Sequence, residues 1–367
     1  MTLDLRQLTN AGVNGLHPYQ PGKPVEELER ELGIKDIVKL ASNENPLGLS
    51  AKAAAAISKA AVELARYPDA NGFYLKQKLS SYCGVKPEQI TLGNGSNEVL
   101  EILFRTFVGE GDEVIFDKHA FIVYALLTQS SGATAVPIDS TDWGHDLDAM
   151  LAAITAKTRM ICIANPNNPT GTYLPPAQIE AFLAKVPEQI LVVLDEAYFE
   201  YVPADQRANA VTWLAQYPNL SISRTFSKAF GLAGLRIGYL LSSAEMADLL
   251  NRVREPFNCN LLALVAAEAV LDDHDYVNQS VALNREQMAR YEDWCQQHGI
   301  GYIPSHGNFI TIEVANAAEV YQALLQKGVI VRPIAGYGMP NHLRVSVGTA
   351  AENDRFMQAF IEVKQGQ

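Results

Sequence analysis

The stretch RTFSKAFGLAGLRIGY, residues 224–239, places a single lysine among residues that favour an anionic ligand. Lys228 closely follows the hydroxyl residues Thr225 and Ser227, and Arg236 comes after two glycines. A lysine amine attacks an aldehyde once burial or nearby positive charge lowers its pKa. The alternative is a solvated lysine without a chemical role. Other motifs in the chain decide between these two interpretations.

A glycine turn, TLGNGSNE at residues 91–98, comes between a predicted strand and a predicted helix. At the start of a helix, free backbone N–H groups and the positive end of the helix dipole both attract anions. Ser96 and Asn97 are therefore candidate phosphate ligands. The turn lacks the Gly-Lys-Ser/Thr of a P-loop, which argues against a nucleoside triphosphate. The alternative is that Ser96 or Asn97 only caps the helix.

Two further polar motifs each follow an apolar run. In ANPNNPTG, residues 164–171, the prolines restrict the backbone and hold asparagine amides at the strand end. LVVLDEAYFEY places Asp195 at the end of a strand that is apolar on both faces, with Tyr198 close behind it. A carboxylate in that position needs a cationic or donor partner. The alternatives are a turn whose asparagines bond to their own backbone, and an aspartate that caps the next helix.

Taken together, these groups match one kind of ligand. A phosphate-binding turn, a buried carboxylate, a neutral amide donor, a nucleophilic lysine and an arginine suit a phosphorylated aldehyde whose ring nitrogen can be protonated. Pyridoxal 5′-phosphate has these features, so we expect it as the cofactor. We expect no metal, because the cysteines and histidines lack the spacing of metal ligands.

Composition limits what else the chain could be. Its 367 residues are 48% hydrophobic and have a net charge of −12, which predicts a globular protein with two structural lobes and no general affinity for nucleic acid or anionic membrane. The four cysteines are scattered, and the acidic start MTLDLRQLTN does not resemble a secretory signal. The longest apolar run, ILVVL, is too short to cross a bilayer. We therefore expect a cytoplasmic protein.

The order of predicted elements divides the chain into three parts. Residues 1–48 are rich in Pro, Gly and Asn, and we expect an irregular arm that also contributes to the smaller domain. Over residues 49–260 short apolar runs such as EVIFD and RMICIA alternate with helical segments, which predicts a large domain with a mainly parallel sheet between helices. Residues 261–367 predict a smaller α+β domain. Ligands of such sheets lie at the carboxyl ends of the strands, where the polar motifs should converge.

The motifs, in their order and spacing, resemble those of the fold-type I pyridoxal-phosphate enzymes and, among these, of the histidinol-phosphate aminotransferase family. The resemblance extends over nearly the whole chain through HPYQPGKPVEELERELG, KLASNENPLG, RYPD, GNGSNE, NPNNPTG, DEAY, SRTFSKAFGLAGLRIGY, VREPFN, GVIVRP and LRVSVGT. It implies an α/β fold whose large domain has a mainly parallel seven-stranded sheet, with a small C-terminal domain and an N-terminal arm. It also implies pyridoxal 5′-phosphate as the cofactor.

The resemblance gives the motif residues roles in holding the cofactor. It implies that Lys228 bonds covalently to the cofactor and that Asp195 pairs with its ring nitrogen. Tyr198 and Asn168 would hydrogen-bond its phenolic oxygen. The implied phosphate ligands are Ser96, Asn97, Thr225, Ser227 and Arg236.

The resemblance also implies residues around the cofactor and substrate. Phe121, in HAFIVY, is in the position of an aromatic ring that stacks on the cofactor, although the family more often has proline where this chain has His119. Tyr67 resembles a tyrosine that reaches the phosphate in the neighbouring subunit, which implies a homodimer with composite sites. Tyr19 resembles a tyrosine on the substrate side. Arg344 resembles the arginine that binds a substrate carboxylate, and here it would meet the substrate phosphate or the dicarboxylic partner.

The implied reaction is transamination, with Lys228 as both the covalent anchor and the general acid and base. L-Histidinol phosphate and 2-oxoglutarate would give imidazole acetol phosphate and L-glutamate, a step of histidine biosynthesis. One alternative is an aromatic amino-acid aminotransferase of the same fold, and another is a threonine-phosphate decarboxylase. A third, a pyridoxal-phosphate-binding regulator, would need a DNA-binding region, for which we find no basic segment in the sequence.

Overall fold

The computed structural model of the chain describes residues 3–10, 12–17 and 22–366. Its strands are β1 Val38–Lys39, β2 Ile90–Gly93, β3 Glu113–Asp117, β4 Thr134–Ile138, β5 Thr158–Ala164, β6 Leu191–Asp195, β7 Leu220–Thr225, β8 Gly238–Leu241, β9 Tyr302–Ile303, β10 Phe309–Glu313, β11 Val329–Ile330, β12 Arg332–Pro333 and β13 His342–Ser346. Its α-helices are α1 Val25–Leu32, α2 Ala51–Ala60, α3 Phe73–Cys83, α4 Ser96–Phe107, α5 Val123–Ser130, α6 Leu147–Ala152, α7 Pro176–Leu183, α8 Ala244–Val253, α9 Leu261–Leu271, α10 His274–Gln297, α11 Ala317–Gln326 and α12 Ala350–Gln365. Within the described ranges, every helix is too short or too polar to cross a bilayer.

The larger sheet has seven strands in the order β2-β8-β7-β6-β5-β3-β4. Neighbouring strands are parallel except at β8, which runs antiparallel to both β2 and β7. Successive side chains of a strand point to opposite faces. In β5, Met160 and Cys162 belong to one apolar core, whereas Ile161 and Ile163 belong to another. Two cores on opposite faces explain why these strands are apolar throughout, and the expected mainly parallel seven-stranded sheet is confirmed.

The direction of β8 decides which residues reach the functional edge of this sheet. The parallel strands β5, β6 and β7 end at the same edge, with Asp195 and Thr225 as the last residues of β6 and β7. Because β8 runs in the opposite direction, its first residue, Gly238, pairs with Thr225. Arg236, two residues before Gly238, therefore lies at the edge where the neighbouring parallel strands end.

A smaller α+β unit follows the larger one. Its antiparallel sheet has the order β12-β13-β10-β9, and a parallel pair, β1 with β11, lies beside it. An apolar core under this sheet contains Trp294 from α10, Leu324 from α11, and Phe356 and Phe360 from α12. The edges of these rings meet the faces of their neighbours, with centroids 5.5–5.8 Å apart for the Trp294 pairs, which is a favoured aromatic geometry.

The segment before residue 48 is more regular than its composition predicts. VEELEREL forms α1, which ends at Gly33 in the left-handed conformation, a common helix terminator. Leu28 is fully buried against Leu325 and Ile330 of the smaller unit, and β1 pairs with β11. The expectation of an irregular arm is therefore wrong for residues 25–39, because an amphipathic helix and a strand use the smaller unit as their packing surface.

Candidate active site

A cavity opens where the carboxyl ends of β5, β6 and β7 face the smaller sheet. The sequence-predicted residues that line it are Ser96, Asn97, Phe121, Asn168, Asp195, Tyr198, Thr225, Ser227, Lys228, Arg236 and Arg344. Tyr67 does not line the cavity, and Tyr19 lies outside the residues that the structure describes. Side chains that are distant in the chain thus meet at one edge of the sheet, as expected for a fold of this kind.

Lys228 follows β7 and extends into the cavity. Its Nζ donates a hydrogen bond to the backbone oxygen of Ser42, 3.2 Å away. Desolvation in the cavity lowers the pKa of Lys228 to about 7, and the positive charges of Arg344 and Arg236 act in the same direction. Near neutral pH a large fraction of this amine is therefore unprotonated and nucleophilic, which distinguishes it from a solvated lysine.

Asp195, the last residue of β6, has one oxygen engaged and one oxygen available. The hydroxyl of the buried Tyr124 donates to Oδ2 at 2.8 Å. Oδ1 is also buried and makes no hydrogen bond within the described part of the chain. Burial raises the pKa of Asp195 to about 6, and the bond from Tyr124 limits that rise. The following 3₁₀ turn, Phe199–Tyr201, has no side-chain cap, so the helix-capping alternative is not observed.

Two glycines, one before α4 and one at the start of β8, allow the backbone N–H groups of the helix start to lie close to an arginine. Gly95 precedes the helix with a positive φ of 84°, which favours glycine, and a Cβ atom there would overlap the guanidinium of Arg236. A Cβ on Gly238 would lie 2.5 Å from the nitrogen of Ser96. No side chain caps this helix end, so Ser96 and Asn97 do not act as the caps that the alternative interpretation required. Free N–H groups, a helix dipole and an arginine together make an anion site.

Two hydroxyl groups complete the anion site. Thr225 Oγ1 donates to Ser227 Oγ at 3.0 Å and accepts from the Ser227 backbone N–H at 3.1 Å. Nη1 of Arg236 donates to Ser227 Oγ at 3.3 Å. Arg236 has a left-handed backbone with φ of 56°, which is uncommon for a residue with a side chain. The site thus combines hydroxyls, backbone donors and one fork-shaped cation, as a phosphate requires.

The asparagines of NPNNPTG have different partners. Asn165 and Asn167 bond mostly within their own loop, as the turn interpretation proposed. Asn168 instead faces the cavity, where its Nδ2 donates to the hydroxyl of Tyr198 at 3.1 Å and its Oδ1 accepts from Nη1 of Arg344 at 2.6 Å. The motif therefore contains both loop-forming asparagines and one asparagine in the cavity.

Phe121 lines the cavity, and its ring meets that of Tyr124 edge-on, with centroids 6.0 Å apart. His119, which departs from the family pattern, contacts the backbone oxygen of Tyr337 through Nδ1 at 2.5 Å. Since Tyr337 belongs to the smaller unit and also lines the cavity, His119 forms a contact between the two units beside the cavity. His119, the residue that departs from the family pattern, therefore makes a specific contact in this structure.

The sequence predictions missed several residues that the structure places at the cavity. Arg332 lines it and pairs in register with Arg344 on the neighbouring strand. The two arginines therefore bring two guanidinium groups to the same cavity. Arg332 follows the apolar run VIV, the same pattern that marked Asp195. Asn43, which also lines the cavity, gave no such signal because it is in an irregular segment. Tyr124, which donates to Asp195, gave none because it has the spacing of a core helix residue.

Three observations indicate that these residues fit pyridoxal 5′-phosphate. Asp195 lines the cavity, and its buried Oδ1 lacks a hydrogen bond that a protonated ring nitrogen would supply. Lys228 supplies an amine of lowered pKa for an aldehyde. The closely packed glycines beside Arg236 leave backbone N–H groups open to a phosphate.

Comparisons with known proteins agree with this chemistry. The family model described as aminotransferase class I and II matches residues 35–360. The chain is 58% identical over 359 residues to histidinol-phosphate aminotransferase 1 of Idiomarina loihiensis, with 98% of each chain covered. It is 56% identical over 363 residues to histidinol-phosphate aminotransferase 2 of Pseudomonas aeruginosa, again with 98% of each chain covered.

A solved structure also resembles the whole chain. The crystal structure of histidinol-phosphate aminotransferase from Sinorhizobium meliloti, in complex with pyridoxal-5′-phosphate, matches with a TM-score of 0.88 and 30% sequence identity. The match covers 95% of this chain and 96% of that one. Both units of the present structure are therefore included in the similarity.

Proposed function

Because the chain belongs to the class I and II aminotransferase family, we propose that it transfers the amino group of L-histidinol phosphate to 2-oxoglutarate. This is a step of histidine biosynthesis. The main support is the 58% identity to a histidinol-phosphate aminotransferase over 98% of both chains. The cavity agrees with it, since it combines a lysine of lowered pKa with two arginines for anionic substrates.

The cofactor is pyridoxal 5′-phosphate. When bound, it supplies an aldehyde that exchanges amines and a protonated ring that withdraws electrons from the carbon bearing the amine. We assign its phosphate to the anion site formed by Ser96, Asn97, Thr225, Ser227 and Arg236. Asp195 Oδ1 would hold the ring nitrogen in its protonated form, and Phe121 would pack against the ring. Tyr198 and Asn168 would donate to the phenolic oxygen.

Lys228 holds the cofactor and moves the proton. Its Nζ is the nucleophile toward the aldehyde, and its pKa of about 7 leaves a substantial fraction of it unprotonated near neutral pH. With cofactor and amine substrate bound, the same nitrogen would take the proton from the carbon that bears the substrate amine and later return it. A lysine with an unshifted pKa would remain protonated at neutral pH and could not accept that proton.

Arg332 and Arg344 explain how one cavity accepts two different substrates. Histidinol phosphate ends in a phosphate, whereas 2-oxoglutarate has a second carboxylate. The planar guanidinium fork binds either oxyanion through two parallel hydrogen bonds. Arg344 is held in place because it donates to Asn168 and to the backbone oxygen of Ala41 at 2.7 Å.

Tyr67 acts in the cavity of a second copy of the chain in a homodimer. It is 82% exposed, and its ring stacks on Phe257 with centroids 4.7 Å apart. Other exposed apolar side chains, Val62, Phe73 and Tyr74, belong to the same part of the chain. Exposed apolar groups concentrated in this way are typical of subunit interfaces. A cytoplasmic location remains a prediction from the sequence.

The substrate assignment is tested with the purified holoenzyme and three amines. Histidinol phosphate, phenylalanine and threonine phosphate are each added, and the loss of the visible absorbance of bound cofactor is followed. We expect histidinol phosphate to give the highest kcat/KM, with glutamate formed only when 2-oxoglutarate is present.

Two results would contradict this assignment. A higher kcat/KM for phenylalanine would indicate an aromatic amino-acid aminotransferase. Release of carbon dioxide from threonine phosphate without 2-oxoglutarate would indicate a decarboxylase.

A further inference from the structure

Asn43 lies in the cavity wall, in the segment between β1 and α2. Its backbone is left-handed with φ of 53°, and the residue is only 1% exposed. The smaller unit holds it on two sides. The Asn43 backbone N–H donates to Ser346 Oγ at 2.8 Å, and its backbone oxygen accepts from Asn308 Nδ2 at 3.0 Å. A buried polar residue with this many fixed contacts has a defined orientation.

Ser346 determines which end of the Asn43 amide faces Tyr198. The Ser346 hydroxyl accepts the Asn43 N–H, and its own hydrogen is donated to Asn43 Oδ1 at 3.1 Å. The opposite end of the amide, Nδ2, therefore donates to the hydroxyl oxygen of Tyr198 at 2.8 Å. Since an amide nitrogen cannot accept a hydrogen bond, Tyr198 is the acceptor in this contact.

A second amide reaches the same oxygen with the same polarity. Asn168 Oδ1 accepts from Arg344, and a guanidinium can only donate, so Asn168 Nδ2 faces Tyr198 at 3.1 Å. Tyr198 thus accepts two hydrogen bonds, and neither donor can take its hydrogen. That hydrogen is left for an acceptor atom of a ligand in the cavity.

We propose that Asn43 is a positioning residue that directs and strengthens the hydrogen bond from Tyr198 to the phenolic oxygen of bound pyridoxal phosphate. This inference rests on the proposed function, because it needs the cofactor in the cavity. Asn43 does not need to touch the cofactor to act in this way. It acts through Tyr198, and Ser346 of the smaller unit holds it in the orientation that this requires.

The physical effect has a definite sign. Burial raises the pKa of Tyr198 to about 12, and the hydrogen bond from Asn43 opposes that rise. A donor to the Tyr198 oxygen stabilises negative charge there and makes the hydroxyl a stronger donor to its own acceptor. Without Asn43, Tyr198 stabilises negative charge on the phenolic oxygen less. The bound cofactor carries a proton next to that oxygen, and its loss changes the visible absorbance. Without Asn43, this proton is lost only at a higher pH.

The first test is the pH titration of the visible absorbance of bound cofactor in the Asn43→Gly variant. Glycine removes the amide but tolerates the left-handed backbone. We expect the midpoint to rise by about 0.5 to 1 pH unit, the size of one net hydrogen bond. Circular dichroism confirms that the variant is folded. A folded variant that binds cofactor and titrates at the wild-type midpoint would overturn the proposal.

A double-mutant cycle separates positioning from general loosening of the structure. In a Tyr198→Phe background the hydroxyl through which Asn43 acts is missing, so adding Asn43→Gly should produce no further shift. An equal shift in both backgrounds would show that Asn43 acts by another route and would refute the proposal.

Ser346→Ala provides a second route if Asn43→Gly does not fold. It removes the group that orients the amide and leaves Asn43 in place, so we expect a smaller rise of the midpoint that also disappears in the Tyr198→Phe background. An unchanged midpoint in folded Ser346→Ala would overturn the inference. Failure of the wild-type protein to develop a cofactor band would instead contradict the proposed function, so the two failures are distinguishable.

Discussion

At the scale of single residues, burial moves the two main ionisable groups of the cavity toward their neutral forms. Desolvation lowers the pKa of Lys228 to about 7 and raises that of Asp195 to about 6. Both shifts have the same origin, because removal from water disfavours charge of either sign. The protein without its cofactor therefore holds a reactive amine and a carboxyl group that lacks a strong partner. A ligand with an aldehyde and a basic ring nitrogen satisfies both groups.

The pKa of Lys228 predicts how fast the apoprotein combines with pyridoxal phosphate. Only the unprotonated amine attacks the aldehyde, and a group is unprotonated above its pKa. We expect the rate to rise with pH through about 7 and then level off. Stopped-flow absorbance between pH 6 and 10, with Lys228→Ala as a variant that gives no band, measures this. A rate that keeps rising toward the ordinary lysine value of 10.5 would contradict the prediction.

Asp195 and Tyr124 give a matched pair of variants. Asp195→Asn keeps the shape but removes the charge that holds the ring nitrogen protonated, so we expect kcat to fall roughly 100-fold or more while cofactor is retained. Tyr124→Phe removes only the bond to Oδ2, and we expect a loss of about tenfold or less. Steady-state kinetics and the cofactor absorbance measure both. Equal losses in the two variants would contradict the assigned roles.

The sequence predicted the residues that follow strands better than those that act through others. Asp195 and Lys228 could be found because each lies in a local sequence motif, and the motifs taken together match one cofactor although each alone has a structural alternative. Tyr124 could not be found, because a tyrosine inside a helix has the same spacing whether it packs or donates a hydrogen bond. The role of Asn43 depends on Ser346, about 300 positions later in the chain, and no local pattern contains that contact.

At the scale of elements, the turn before α4 packs closely against the residues that precede β8. Arg236 approaches the helix start so closely that a side chain at position 95 would have to displace its guanidinium. The reversed direction of β8 produces this approach, since it brings the residues before the strand to the edge where β7 ends. The helix start and the arginine therefore act as one anion site, although they come from separate elements.

Gly95→Ala should weaken cofactor binding with little effect on the fold. The new methyl group displaces the Arg236 guanidinium from the helix start, and the positive φ of 84° adds strain for alanine. We expect the Kd for pyridoxal phosphate to rise roughly tenfold or more, as for a lost charge-assisted hydrogen bond. Gly109→Ala is the control, because a methyl group there meets nothing within 4 Å. Titration of the apoprotein measures both, and an equal Kd in the two variants would refute the explanation.

The elements themselves were largely predictable, but the direction of one strand was not. RIGYLLS has the same apolar character as the parallel strands, so nothing in its residues indicated that β8 runs antiparallel. Likewise, α1 was missed because prolines and glycines surround a short amphipathic stretch. Strand direction and the packing of short helices depend on tertiary contacts, whereas hydrophobic runs are local.

At the scale of the whole molecule, the proposed homodimer predicts that inactive subunits complement one another. In a hybrid of Tyr67→Ala and Lys228→Ala subunits, one cavity has both its own Lys228 and the Tyr67 of its partner. We expect such hybrids, purified through two different affinity tags, to be more active than either parent. A hybrid of Asp195→Asn with Lys228→Ala is the control, because both of its cavities lack a residue. Equal activity of the two hybrids would contradict a composite site.

The residues that line the cavity extend along the chain from Gly22 to Arg344. During translation, a nascent chain cannot complete the wall of this cavity until the last strand of the smaller sheet has left the ribosome. The vitamin-derived ligand therefore stabilises only subunits whose synthesis has passed that point, by mass action on the native state. In a cell short of vitamin B6, newly made subunits would depend on their intrinsic stability alone and would be exposed to proteases for longer.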